Sequence, residues 1–243
     1  MWALYKKEVR GFLHSLIGYV VIIVFLLMTG LFMWVFPGEM NTLDNGYAEM
    51  DTLFLIGPWV FLFLIPAITM RSFSEEKRTG TLEFLLTKPL TDTRLVLAKF
   101  LAGWTLSILS ILPTLVYYLS LYQLAVPAGN LDNGGILGSY IGLVFLSGAF
   151  VSIGIFASSL TANQIVAFIL AVFLCFFMFI GFESIASFDL LGSLDAFVIQ
   201  VGMNEHYRSL SRGVIDSRDV AYFTGIIVIF VLATRTGISA RKW

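Results

Sequence analysis

The densest cluster of ionisable side chains in the sequence lies between Arg71 and Leu90, flanked by two long apolar runs. Within it, Leu82, Leu85 and Leu86 recur at a spacing that puts them on one face of a short helix. This combination is typical of a docking surface, in which apolar side chains enter a groove on a partner and charges at the rim set the register. The alternative is a helix that lies on a membrane surface without a partner, and the spacing leaves both open.

Catalytic chemistry is not indicated elsewhere in the chain. No G-x-x-x-x-G-K-[ST] motif is present, so the chain has no phosphate-binding loop of its own. His14 and His206 fall on opposite sides of the membrane in the topology given below, and Cys175 lies alone in an apolar run. Glu183 and Arg235 stand at span ends, and no other Asp, Glu, Lys or Arg lies within a span, which disfavours an ion-coupled pump or an intramembrane enzyme. We therefore expect no catalytic, cofactor-binding or metal-binding residues.

The composition is that of a membrane protein. Hydrophobic residues make up 58% of the chain and charged residues 13%, which is about half the charged share of a typical soluble domain. The apolar runs are continuous rather than alternating, so helices are favoured over a barrel. We predict an all-α integral membrane protein whose single transmembrane domain covers residues 1–243. The six predicted spans are about 16–36, 53–70, 100–126, 135–157, 165–182 and 220–237.

The segments outside the spans carry the charges. Residues 1–13 predict an interfacial elbow helix with aromatic side chains on one face and lysines on the other, the alternative being a frayed terminus. Residues 71–99 form the loop after the second span, and residues 183–219 form a polar outer segment. Basic residues concentrate in both termini and in the 71–99 loop. The positive-inside rule then predicts a multi-pass protein of the inner membrane with both termini in the cytoplasm.

A stripe of small residues marks the fourth span. Gly134, Gly138 and Gly142 repeat every four residues and therefore share one helical face. Small residues at this spacing allow two helices to approach closely, either within one chain or between two chains. We favour packing within the chain.

The charged stretch resembles the signature of a known family. Glu75-Glu-Lys-Arg-Thr-Gly-Thr-Leu-Glu-Phe-Leu-Leu-Thr-Lys-Pro89, with Lys99 ten residues later, is similar to the E-x-x-x-G-T-L-E-x-L-L-x-x-P…K pattern of ABC exporter permeases of the second membrane class, the ABC-2 type. The elbow helix, the six spans and the outer segment are similar as well, except that the sixth span is short. Within that class, the sequence is most similar to permeases associated with gliding motility.

The resemblance implies a non-catalytic permease subunit of an ATP-driven ABC transporter complex that performs export or mechanical work, including gliding motility. The implied partners are a cytoplasmic ABC ATPase, bound at a coupling helix in the loop, and a second permease chain, identical or sister. Membrane lipids are expected contacts, and nucleic acid is not. The alternative is a membrane scaffold or signalling subunit without transport. The residues implied in ATPase coupling are Glu76, Arg78, Gly80, Thr81, Leu82, Glu83, Leu85, Leu86 and Pro89.

Overall fold

Helices form all of the regular structure in the residues that the computed structural model describes, which are 1–86, 91–188, 192, 195–213 and 216–240. The helices are α1 Trp2–Leu13, α2 Leu16–Trp34, α3 Thr42–Asn45, α4 Asp51–Thr69, α5 Arg71–Arg78, α6 Thr81–Leu86, α7 Asp92–Ile111, α8 Leu115–Leu124, α9 Asn133–Leu160, α10 Gln164–Phe176, α11 Phe182–Ala186, α12 Asp195–Val201, α13 Met203–Ser211 and α14 Ser217–Ser239.

Six helical segments are long and apolar enough to cross a membrane, which confirms the predicted all-α membrane class. They are α2, α4 with α5, α7 with α8, α9, α10 with α11, and α14. The third segment starts at Asp92, earlier than predicted, because the Thr91 side chain caps α7 by accepting a hydrogen bond from the Arg94 N–H at 3.4 Å. The sixth, expected to be short, is a helix of 23 residues, since polar residues at both ends continue it.

Two spans change helix type along their length. Leu112–Thr114 forms a single 3₁₀ turn between α7 and α8, at the position of Pro113, which has no N–H to give to the preceding turn. Phe177–Gly181 forms a π-helical turn between α10 and α11. Such turns widen a helix locally and are often found at functional sites.

The central helix of the bundle is α9. It packs against α4, α7, α10, α13 and α14. Of its most apolar stretch of 18 residues, 78% is buried, whereas the corresponding share for α14 is 17%. Small residues permit this crowding, because a Cβ atom at Gly154 would lie 2.0 Å from Thr69 Oγ1. A Cβ at Gly138 would lie 2.5 Å from the Leu210 carbonyl oxygen, and Gly142 also faces Leu210. This part of the glycine stripe is therefore covered by α13 of the same chain.

The bundle has two ends, which carry different short helices. The elbow helix α1 and helices α5 and α6 lie at the end where the first span begins, called here the terminal face. Helices α3, α12 and α13 lie at the opposite end, called the distal face. At the distal face the Tyr207 hydroxyl donates to the Phe54 carbonyl oxygen at 2.7 Å, which fastens α13 to α4. Burial raises the pKa of Tyr207, so this hydroxyl keeps its proton.

Candidate functional site

The charged stretch continues directly from the second span. Only Met70 separates α4 from α5, and its backbone remains helical, with φ −53° and ψ −30°. The hydroxyl of Ser158, near the end of α9, accepts hydrogen bonds from the Phe73 and Ser74 N–H groups at 2.9 and 3.1 Å and donates to the Met70 carbonyl oxygen at 3.0 Å. One side chain of α9 therefore holds the α4–α5 junction in place.

A buried ion cluster holds the other side of α5. Lys99 of α7 is only 3% exposed, and its Nζ lies 2.7 Å from Glu76 Oε1 of α5 and 3.2 Å from Glu8 Oε1 of α1. The same ammonium group lies 5.2 Å from the centroid of the Phe73 ring, within the range of a cation–π contact. This group, called here the Lys99 cluster, connects three separate helices through a single cation.

The Lys99 cluster combines one positive with two negative groups in a largely water-excluded place. Glu76 Oε2 is buried and accepts no hydrogen bond from the residues that the structure describes. A buried cation without its carboxylates is strongly unfavourable, and so are buried carboxylates without their cation. The three helices therefore have to keep their relative positions for the charges to stay paired.

Helix α5 ends in a turn that redirects the chain into α6. Gly80 has φ +71°, a left-handed conformation that glycine adopts without the steric cost of a Cβ. The hydroxyls of Thr79 and Thr81 lie 2.9 Å apart across this turn. Beyond it, Leu82 is only 7% exposed and belongs to the main hydrophobic core of the chain. Helix α6 is thus attached to the bundle by at least one apolar side chain.

Two of the residues predicted for a partner contact face inward. Glu76 points to Lys99, and Leu82 packs inside the chain, whereas the sequence pattern placed Leu82 in a groove on a partner. The physical reason is that α6 itself needs an apolar contact with the bundle. Leu85 and Leu86 lie within the α6 backbone, but their side chains and the whole of Pro89 fall outside the described residues. The exposed residues of the predicted set are Arg78, Gly80, Thr81 and Glu83.

Residues 2–215 match the model of a family described as ABC-2 family transporter protein. The chain belongs to this family. The match runs from the elbow helix to the segment before the last span, so the chain is a membrane subunit, or permease, of an ABC transporter. No curated protein matches the sequence significantly.

Sequence reasoning alone missed the main polar contacts of this ABC-2 permease. Glu76 and Lys99 both occupy positions of the signature motif, so the motif contained a signal for their pairing. Glu8 gave no such signal, since it stands among lysines in an apparently interfacial helix. Ser158 gave no signal either, since nothing in its sequence surroundings indicated that it would bind the α4–α5 junction.

The two histidines of the permease lie far apart in the chain and have different surroundings. His14 is exposed at the end of α1 on the terminal face. His206 of α13 places Nδ1 2.6 Å from Asp219 Oδ1 of α14 and Nε2 2.8 Å from the Gln200 carbonyl oxygen. Within the described part of the chain, no group of three His, Cys, Asp or Glu side chains could hold a metal ion. His206 therefore has a structural role, since it connects α13 to α12 and α14 at the distal face.

Proposed function

We propose that this permease works with a separate cytoplasmic ABC ATPase, which binds the exposed surface of α5 and α6 and drives rearrangements of the spans. Basic side chains such as Lys6, Lys7 and Arg10 are exposed on the terminal face, which supports a cytoplasmic location of that face in the inner membrane. Arg78, Thr81 and Glu83 would form the ATPase contact, together with Leu85 and Leu86 from the predicted set.

The Lys99 cluster is the observation that carries this proposal. A force applied to α6 reaches α5 through the Gly80 turn, and α5 is bound to α1 and α7 by the ion pairs of Glu76, Lys99 and Glu8. It is also bound to α9 by Ser158. Nucleotide-driven movement at a surface helix would thereby reach the elbow helix α1 and the third and fourth spans at once.

The complex would contain a second permease chain, identical or sister, so that two coupling surfaces meet an ATPase dimer. The likeness of the signature motif to gliding-motility permeases supports mechanical work at the cell surface as its output, with export as the other form of work. The phenotype of a gene deletion distinguishes mechanical work from export. Loss of surface spreading with normal export supports gliding, and the opposite result supports export.

Charge reversal at the exposed rim tests the ATPase contact. Arg78→Glu combined with Glu83→Arg keeps the net charge and should abolish co-purification of the co-expressed ATPase, since both rim charges then face the wrong sign. The matched control is Arg218→Glu with Glu205→Arg, which makes the same exchange at exposed positions of the distal face.

The outcome separates the proposal from a scaffold. The rim variant should insert normally, bind no ATPase and fail to alter ATP hydrolysis in liposomes, while the control variant behaves as the wild type. An undiminished ATPase pull-down by the rim variant would refute the contact. Hydrolysis that the wild-type permease leaves unchanged would favour a scaffold or signalling subunit.

A further inference from the structure

An apolar groove runs along the membrane-facing side of the bundle between α2 and α4. Its volume is about 500 Å³, and its walls include Val24, Met28 and Phe32 of α2 and Trp59 and Phe63 of α4. The three α2 residues are spaced four apart, so they form one stripe on the same side of the helix, inclined to its axis. From Val24 to Phe32 the stripe rises about 12 Å, close to the depth of one leaflet of a hydrocarbon core about 30 Å thick.

A second cavity of about 770 Å³, which has charged as well as apolar side chains in its lining, adjoins the groove at its distal end. Met40 and Trp59 line both spaces, so the groove and the cavity are direct neighbours. The lining of the cavity includes the acidic residues Glu39, Glu49 and Asp51, and it also includes two arginines, one in α13 and one directly after it. Its walls thus carry both signs of charge, in contrast to the apolar walls of the groove.

The arginines of the cavity are Arg208 and Arg212, and both are exposed. Arg208 Nη1 makes one long contact of 3.5 Å with Glu183 Oε1. A guanidinium carries five N–H donors in a fork that matches phosphate oxygens, so this contact leaves Arg208 able to bind a phosphate. The three carboxylates in the same lining would bind an ammonium group.

We infer that the groove and the cavity together form a binding site for one glycerophospholipid with a zwitterionic, amine-bearing head group, taken from the leaflet that adjoins the distal face. An acyl chain lies along the α2 stripe, the phosphate meets Arg208 and Arg212, and the ammonium meets the acidic loop. Trp59 stands at the junction, where an aromatic ring with one polar edge is favoured. Both volumes fall in the range of small-molecule sites.

The charge pattern favours this occupant over a helix of a second chain. A partner helix would cover the apolar stripe but would leave the two-signed cavity beyond Met40 and Trp59 without a complementary group. An anionic lipid would satisfy the arginines and repel the three carboxylates. The inference is independent of ATPase coupling, because it requires only the permease in a lipid environment.

The site can be tested by native mass spectrometry of the purified full-length permease with phosphatidylethanolamine and phosphatidylglycerol offered at equal concentration. The wild type should retain one phosphatidylethanolamine per chain and prefer it about tenfold, the ratio that corresponds to about 1.4 kcal/mol. Met28→Trp, which fills the groove, should lower that occupancy about tenfold. Leu232→Trp, at an exposed membrane-facing position of α14 outside the groove, is the matched control and should retain the lipid.

A second variant tests the proposed contact with the lipid head group. Arg212 is an exposed residue in the lining of the cavity, so Arg212→Glu should fold and should lose the preference between the two lipids. Equal retention of both lipids by the wild type would overturn the inference in favour of unselective annular lipid. Unchanged occupancy in Met28→Trp would overturn it as well, and so would a loss of dimer in that variant without loss of lipid, which would make the groove a protein interface.

Discussion

Replacement of Lys99 by methionine tests the Lys99 cluster most directly. Methionine keeps the length and most of the volume of the lysine stem but leaves Glu8 and Glu76 buried without their cation. The side chains of Lys99, Glu8 and Glu76 are 2%, 19% and 14% exposed, so solvent replaces little of the lost interaction.

The size of the effect follows from the distances. At an effective dielectric constant of about 20, the attraction across the 2.7 Å Lys99–Glu76 contact is roughly 6 kcal/mol before desolvation is subtracted. Removal of one partner from a buried pair typically destabilises a protein by about 3–5 kcal/mol. The partial exposure of Glu8 argues for the lower end, so we expect Lys99→Met to cost about 3 kcal/mol.

The assay is reversible unfolding of the purified permease in detergent, followed by circular dichroism. The triple variant Glu8→Gln, Glu76→Gln and Lys99→Met removes all three charges, and it should recover most of the loss, because no unpaired charge then remains buried. If Lys99→Met unfolds within about 0.5 kcal/mol of the wild type, the size of an ordinary surface substitution, the assignment of the cluster as a buried connection between α1, α5 and α7 is wrong.

Three further predictions concern single contacts. Ser158→Ala leaves two N–H donors of the α4–α5 junction without an acceptor and should cost about 1–3 kcal/mol in the same unfolding assay. Gly154→Ala places a methyl group against Thr69 and should cost about 1–3 kcal/mol of stability. The control Gly225→Ala lies in open space on α14 and should be neutral or stabilise by up to about 1 kcal/mol. Equal effects of the two substitutions would contradict the close approach of α4 and α9. His206→Ala removes the partner of Asp219, which is 4% exposed, so hydrogen exchange in α13 should accelerate while exchange in α9 stays unchanged.

The spans were predictable because a bilayer imposes one strong requirement on sequence, a continuous apolar run of sufficient length. Their ends were less so. Asp92 and Lys99 fall within the bounds of the predicted 71–99 loop, yet both lie in α7, where Thr91 caps the helix and Lys99 contacts two carboxylates.

Hydrophobic periodicity could not predict which side chains of the candidate site contact the chain itself. A repeat of leucines shows that Leu82 shares a face with Leu85 and Leu86, but it does not show whether that face meets a partner or the chain itself. The Lys99 cluster depends on the meeting of α1, α5 and α7, which are distant in sequence, and only the signature motif connected two of its three members.

The length of α9 has a mechanical consequence. Its 28 residues form an uninterrupted rod of about 42 Å, tied at one end to the α4–α5 junction by Ser158 and overlaid at the other by α13 at Gly138. Such a rod can tilt as one body, and its densely packed middle would then act as the pivot. A displacement of the junction in one direction would therefore move the distal segment in the opposite direction, without any change of hydrogen bonding inside α9.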